Sequence, residues 1–277
     1  MRSTIKIVIL LFFICTSMSG ASFPDMEKYM RQHALIWEQL PMQWNEGAFL
    51  GNGLVGMMVY ADSTLNALVF HLGRPDVTDH RKAPYRKTSI GTEEADKMVD
   101  FCRLDIGKML LFPEGKILSG TFYLDIYNAE LTGHLKTDKG DLTFHAYTPQ
   151  PEEVNIVEVS SGIPYRWKGI PANPCSPRIR VFPHLKEKLK YKDNPVPVVN
   201  QKDKEGSWVQ SLLAGGDYAT YWKEVPGGKS RSVLYVSTAN EVPASSLSLA
   251  KAMKTVEATQ ITGTKLLKQK TRQWWNA

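Results

Sequence analysis

Cysteine is scarce in this sequence, with three residues in a chain of 277. They stand at Cys15, Cys102 and Cys175, and none is in a paired spacing suited to zinc. A disulfide-dense scaffold is therefore excluded. The six histidines, His33, His71, His80, His134, His145 and His184, include no i, i+4 pair. No metal site and no other cofactor is expected from them. A G-x-S-x-G nucleophile elbow is missing as well. There is no strong excess of one charge, the net value being +6. Lysine-rich stretches such as Lys186–Lys192 are interleaved with Glu187, so they read as solvated surface and no nucleic-acid partner is expected. After the first residues there is no long hydrophobic run, and nothing downstream is expected to enter a membrane.

The first residues have the order of a secretory signal. Arg2 and Lys6 give a positive start, Ile5 to Ile14 form an apolar run interrupted only by Lys6, and Ser17, Ser19, Gly20 and Ala21 follow. Ser19 and Ala21 suit the small-residue positions before a cleavage site, so residues 1–21 are expected to be removed and the protein exported to the periplasm or cell exterior. The apolar run is too short for a spanning helix. A lipoprotein start at Cys15 is disfavoured by bulky Ile14. Loss of Arg2 and Lys6 lowers the net charge from +6 to +4. In an oxidising compartment Cys102 and Cys175 could form a disulfide, or remain two unrelated thiols; sequence leaves both open.

From Ala34 to Asn240 the chain is a series of short β-type segments separated by turn residues. Ala34–Trp37, Leu54–Tyr60, Leu65–Phe70, Lys108–Phe112 and Thr121–Tyr127 are rich in apolar, β-branched and aromatic residues. Glu130–Lys136 and Asp141–Tyr147 flank Thr137-Asp138-Lys139-Gly140, a hairpin signal. Val154–Ser160, Ser207–Leu213, Tyr218–Val225 and Ser232–Ser237 continue the series, the last two joined by Pro226-Gly227-Gly228-Lys229. The expected class is mainly β, an antiparallel sandwich of the supersandwich type spanning 22–240. Gly162–Asn200, dense in proline, reads as an irregular excursion. Gly73–Gly91 reads as a polar loop carrying Arg74, Asp76, Asp79, His80 and Arg81, long enough to be functional.

The pattern changes to helical after Pro243. Leu247, Ala250, Met253 and Val256 recur at helical spacing, with Ser245 or Ser246 as a cap, and Lys265–Trp275 follows as a second helix. Residues 241–277 are thus expected to form a helical linker. Adjacent Trp274 and Trp275 form a large apolar surface, which predicts that a neighbouring domain, missing from these residues, covers them.

Gly51-Asn52-Gly53-Leu54-Val55-Gly56 is a literal G-x-G-x-x-G, with Asp76 near the distance a dinucleotide site wants. The context refuses that reading, because strand-like Met57-Met58-Val59-Tyr60 follows where a helix is required. A tight turn feeding a strand explains the glycines. Beside it, Trp44, Asn45 and Glu46 combine an aromatic face, an amide and a carboxylate, the chemistry that recognises sugars. Core and turn roles for the same three residues remain open. Glu93-Glu94 and Glu152-Glu153 are adjacent acids that point apart and read as surface.

Trp44-Asn45-Glu46-Gly47 followed by Phe49-Leu50-Gly51-Asn52-Gly53-Leu54-Val55-Gly56-Met57-Met58-Val59 resembles the opening of α-L-fucosidase-type glycoside hydrolases and their uncharacterised relatives. Leu124-Asp125-Ile126-Tyr127-Asn128-Ala129, Gly216-Asp217-Tyr218 with Trp222, and Trp274-Trp275 resemble later segments in the same order. The resemblance implies an N-terminal β-sandwich, a helical linker and then an α/α barrel that carries an inverting active site. No residue of this chain matches the catalytic positions, so none is assigned. The sequence His71-Leu72-Gly73-Arg74-Pro75-Asp76 departs from the fucosidase pattern and puts fucose specificity in doubt. Carbohydrate is the expected partner. Trp44, Asn45, Glu46, Asn52, Arg74 and Asp76 are the candidate substrate contacts, the loop from Arg74 to Arg81 could reach the barrel, and Trp274 and Trp275 would form its interface. The alternative is a stand-alone secreted carbohydrate-binding or surface protein using exposed aromatics such as Trp44 and Trp167. A third possibility is an inert module that only braces a barrel.

Overall fold

The structure, a computed structural model, describes residues 25–79, 102–188 and 190–276. The signal segment, His80, Arg81 and the Glu93-Glu94 pair lie outside the described residues. The order begins with α1 (Met26–Arg31), β1 (Leu35–Trp37), β2 (Ala48–Gly51), β3 (Gly56–Asp62), β4 (Ala67–Gly73) and β5 (Thr78–Asp79). It continues with β6 (Cys102–Arg103), β7 (Lys108–Pro113), β8 (Ile117–Asp125), β9 (Glu130–Thr137), β10 (Gly140–Tyr147), β11 (Val154–Ser161) and β12 (Tyr165–Ile170). Two short helices follow, α2 (Pro177–Val181) and α3 (His184–Lys188). Next come β13 (Val198–Gln201), β14 (Glu205–Leu212), β15 (Gly216–Gly228) and β16 (Arg231–Glu241), and last α4 (Ser248–Thr262) and α5 (Thr264–Trp275).

Nine strands form one antiparallel sheet in the order β1-β8-β9-β10-β11-β16-β15-β14-β13, and five form a second in the order β12-β7-β4-β3-β2. Their inner faces share one core. Phe70 of the smaller sheet meets Phe144 of the larger edge to face, with ring centroids 5.3 Å apart, and Phe144 meets Phe122 at 5.6 Å. Such pairs add to the burial of apolar area that holds the layers together. Polar cross-links fix the relative position of the sheets: the Trp208 indole donates to the Ile106 carbonyl at 2.9 Å, and the Asn155 amide donates to the Gly56 carbonyl at 3.4 Å. The chain is a mainly β antiparallel sandwich.

The two ends of the large sheet bury their strands differently. In β8 to β10, buried and exposed residues alternate, as expected with one face in the core and one in solvent. In β11, β15 and β16 both faces are buried, because α4 and α5 lie across the outer face. Tyr147, Ile156, Tyr221 and Tyr235 point that way and pack on Ala252, Val256 and Leu267.

Several expectations are corrected. Trp167, expected to be exposed, is only 4% exposed; it faces inward from β12, 5.2 Å from Phe70. The stretch 162–200 is not wholly irregular, since it holds β12, α2, α3 and β13. In β12, Tyr165 and Trp167 alternate with exposed Arg166 and Lys168, a period of two hidden among flanking prolines. Cys102 and Cys175 are free thiols, not a disulfide. The Cys102 thiol lies against the Arg103 carbonyl at 3.3 Å, and the Cys175 thiol pairs with the Asp193 carboxylate. The first cap of α4 is Leu247, with no side-chain cap bond. Ser245 instead donates to Glu241 at 2.8 Å, and Ser248 donates to Asp217.

Candidate functional site

The outer face of the five-stranded sheet carries a groove of about 910 Å³, within the ~300–1,000 Å³ typical of small-molecule sites. Cross-strand register builds its floor. Phe49, Met58, His71 and Lys108 are successive partners across β2, β3, β4 and β7, so their side chains emerge on one face. The adjacent row is Gly51, Gly56 and Gly73, which contribute no side chains, and Gly56 and Gly73 deepen the floor. Gly56 is obligatory on steric grounds, because a Cβ there would lie 2.6 Å from the Leu50 carbonyl oxygen. One rim is Trp44, in the 3-10 turn Trp44–Glu46, with Leu54 at the β2–β3 hairpin tip. The opposite rim is α2, through Pro177, Arg180 and Val181, with Arg103 and Asp105 beside it.

The G-x-G-x-x-G segment is that hairpin tip. Gly53 takes φ +89° within the turn, a value suited to glycine. Asn52 then locks the turn. Its carbonyl oxygen accepts from the Leu54 and Val55 amides at 3.0 Å each, and its amide nitrogen donates to the Pro149 and Glu152 carbonyls at 2.8 Å each. Asn52 is therefore fully engaged within the fold.

Arg74 is engaged too. It is 5% exposed, and its guanidinium donates to Asp76 at 2.7 and 3.0 Å, to the Thr238 carbonyl at 2.6 Å, and to Glu153. Burial alone would lower its pKa, but the two carboxylates outweigh that and raise it. Arg74 thus ties the chain after β4 to β16, and Asp76 serves as its counter-ion. Asn45 and Glu46 are exposed beside the groove and are not among its lining residues; the Glu46 carbonyl accepts from the Trp37 indole at 2.8 Å. Of the six sequence candidates, only Trp44 and Arg74 reach the groove wall.

The polar centre is a set the sequence reading did not assemble. His71 Nε2 lies 3.1 Å from Asp105 Oδ1, which also accepts from the Gly107 amide at 2.9 Å. Arg180 approaches the other carboxylate oxygen at 3.5 Å. Burial alone would push the Asp105 pKa up, but His71, the Gly107 N–H and Arg180 outweigh it and hold the carboxyl below its ordinary value. Lys108 and Arg103 line the same space and have no acidic partner among the described residues. The alternation of β4 and β7 could have pointed to His71 and Lys108. No sequence signal joins Arg180, some seventy residues on, to them.

Trp274 and Trp275 lie far from the groove in the fold, on α5 against the other sheet. Both are about half exposed, with ring centroids 6.2 Å apart, and the Trp275 indole donates to the Ile126 carbonyl at 2.8 Å. Among the described residues no group of three His, Cys, Asp or Glu could hold a metal ion.

No family model matches this sequence. No curated protein matches it either. The fold does match solved structures. One is a protein assigned as a kojibiose phosphorylase, from the human microbiome, with a TM-score of 0.55 and 9% sequence identity. The match covers 88% of this chain and 37% of that one, so this chain spans little more than a third of the neighbour's length. The sandwich is thus a fold shared with part of a sugar-active enzyme.

Proposed function

We propose that this chain supplies the non-catalytic β-sandwich of an exported, fucosidase-like glycoside hydrolase whose active site lies on an α/α barrel beyond α5. The observation that carries the reading is that the groove shows a single acid among the described residues. An inverting glycosidase needs two carboxyl groups roughly 6.5–9.5 Å apart, one as acid and one as base. Among the described residues Asp105 is the one acid that lines this groove, and His71, the Gly107 N–H and Arg180 hold its carboxyl below the ordinary value. Among the described residues, the groove can bind but lacks that pair of carboxyl groups. The sugar-active fold shared with a much longer protein, and the ordered motifs from Trp44 to Trp275, support placing the chemistry elsewhere.

The test is hydrolysis of a panel of aryl glycosides by residues 22–277 and by a product extended through a following helical-repeat domain. The shorter protein is expected to give no turnover and the longer one to be active; turnover by the shorter protein overturns the proposal. Export is tested separately by N-terminal sequencing of the mature protein, expected to begin near Ser22. A second reading, a stand-alone carbohydrate-binding protein, is favoured by Trp44 and Phe49, which are 64% and 54% exposed at the groove. Saturable glycan binding by a native product that ends at residue 277 would support it over the first.

A further inference from the structure

We infer that the groove on the five-stranded sheet is a binding site for a saccharide that carries a fixed negative charge, such as a carboxylate or a sulfate. The inference rests on the reading of the protein as sugar-active, and adds the charge class of what this surface holds. Three observations converge.

The first is the charge balance of the lining. Among the described lining residues, Arg103, Lys108 and Arg180 face one acid, Asp105, leaving an excess of two positive charges when three are set against one. Arg74 adds no free positive charge, being paired with two carboxylates, Asp76 and Glu153, which do not themselves line the groove. Within a concave wall such an excess attracts an anion more strongly than on a flat surface.

The second is the placement of the cations. Lys108 stands beside His71 in cross-strand register, and His71 and Arg180 both reach Asp105. Asp105 thereby orients one flank of the cluster, while Lys108 keeps its three N–H donors for a ligand. A carboxylate or sulfate entering beside Lys108 and Arg180 would gain charge-assisted hydrogen bonds.

The third is the apolar rim. Trp44 and Phe49 are exposed at the groove, and Leu54 stands over the glycine row. A pyranose ring presents a C–H face that an aromatic side chain can cover, so ring and charge are met by adjacent parts of one site. An inorganic phosphate would use the cations and leave this rim idle.

Calorimetric titration of residues 22–277 tests the inference, using trigalacturonate and glucose 6-sulfate as charged probes and a neutral glucose trimer as control. Binding of at least one charged probe, weakening as salt is raised, is expected. Lys108→Gln and Arg180→Gln should each weaken it about tenfold or more, and Trp44→Ala should weaken it comparably. All three side chains are at least partly exposed, and unchanged melting temperatures would show that the fold survives. Binding of one charged probe alone identifies the anionic group and supports the site. Equal binding of the neutral trimer, no binding of any probe, or binding indifferent to Lys108→Gln and Arg180→Gln overturns the inference. None of these outcomes bears on the absence of turnover, so the proposed division of labour stands or falls by its own assay.

Discussion

On the nine-stranded sheet, Tyr147, Ile156 and Tyr235 point outward and are buried beneath α4 and α5, whereas on the five-stranded sheet Phe49 points outward and remains more than half exposed. The polar groups divide the same way. Under the helices, Glu130 takes both the Arg272 guanidinium, at 2.7 and 2.9 Å, and the His145 ring, at 2.8 Å. Lys268 reaches Glu158 at 2.8 Å and lies 5.0 Å above the Tyr147 ring. In the groove, cations outnumber acids among the described residues. One face is finished by packing and paired charge; the other keeps aromatic surface and unmatched charge in a concave site. That contrast separates the surface that holds the fold from the surface suited to a ligand.

The sharpest way to break the comparison is to remove the anchor of the covered face. Leu267 is 1% exposed and closes the cluster beneath α5. Leu267→Ala is expected to cost about 2–4 kcal/mol, from lost burial and the cavity left behind. Chemical denaturation would measure it, and the same experiment on Phe49→Ala should show a much smaller loss. A comparable loss at both sites would mean that the groove face is also structural.

The open face still rests on a rigid floor. In Gly56→Ala the new Cβ would meet a backbone oxygen, which cannot swing aside as a side chain can. A destabilisation of about 1–3 kcal/mol is expected. Gly73→Ala, whose Cβ would meet nothing closer than 3.9 Å, is the control and should be milder. Differential scanning calorimetry of the pair tests whether the floor has the geometry described.

A third contrast is in pH. Burial alone would raise the Glu130 pKa, but hydrogen bonding and charge from His145 and Arg272 outweigh it, and the carboxyl is held below its ordinary 4.5. A depressed carboxylate adds stability that is complete above its unfolded pKa and is lost as pH falls through the folded value. The docking of α5 should therefore weaken as pH falls below the ordinary 4.5 and on through the lower value of the folded carboxyl. Glu130→Gln should lower the melting temperature at neutral pH and flatten its decline in acid. An unchanged acid profile would show that this clamp contributes little.

Much of the nine-stranded sheet was legible in the sequence, and little of the groove on the five-stranded one. Alternation in β8 to β10 and the two hairpin turns follow from local patterns, so the strands around Glu130–Tyr147 stand where they were expected. The spacing of Leu247, Ala250, Met253 and Val256 likewise foretold α4 but not its buried face, since only Val256 of the four is buried. The groove instead depends on register between strands distant in sequence, which brings Phe49, Met58, His71 and Lys108 into one row. Asn52 and Arg74 drew attention as polar residues in loops, yet both are held by backbone carbonyls that only the folded chain brings near. Trp167 misled for the opposite reason. A lone tryptophan between Arg166 and Lys168 reads as surface until β12 pairs with β7 and turns it inward.

The smallest effects are expected at Trp274 and Trp275, at the half-exposed end of α5. The Trp275 indole is tied to the Ile126 carbonyl, so Trp275→Ala should cost about 1 kcal/mol for that bond together with some lost packing. Trp274 has a similar exposure but no hydrogen bond of this kind, and Trp274→Ala should fall within about 0.5 kcal/mol. If a barrel does dock on α5, the order should reverse in the extended protein: Trp274, the side chain not used by the sandwich, would then lose the greater contact. Equilibrium unfolding of both variants in both lengths measures this directly. Retention of the same small Trp274 effect in the longer protein would mean that α5 presents no interface there.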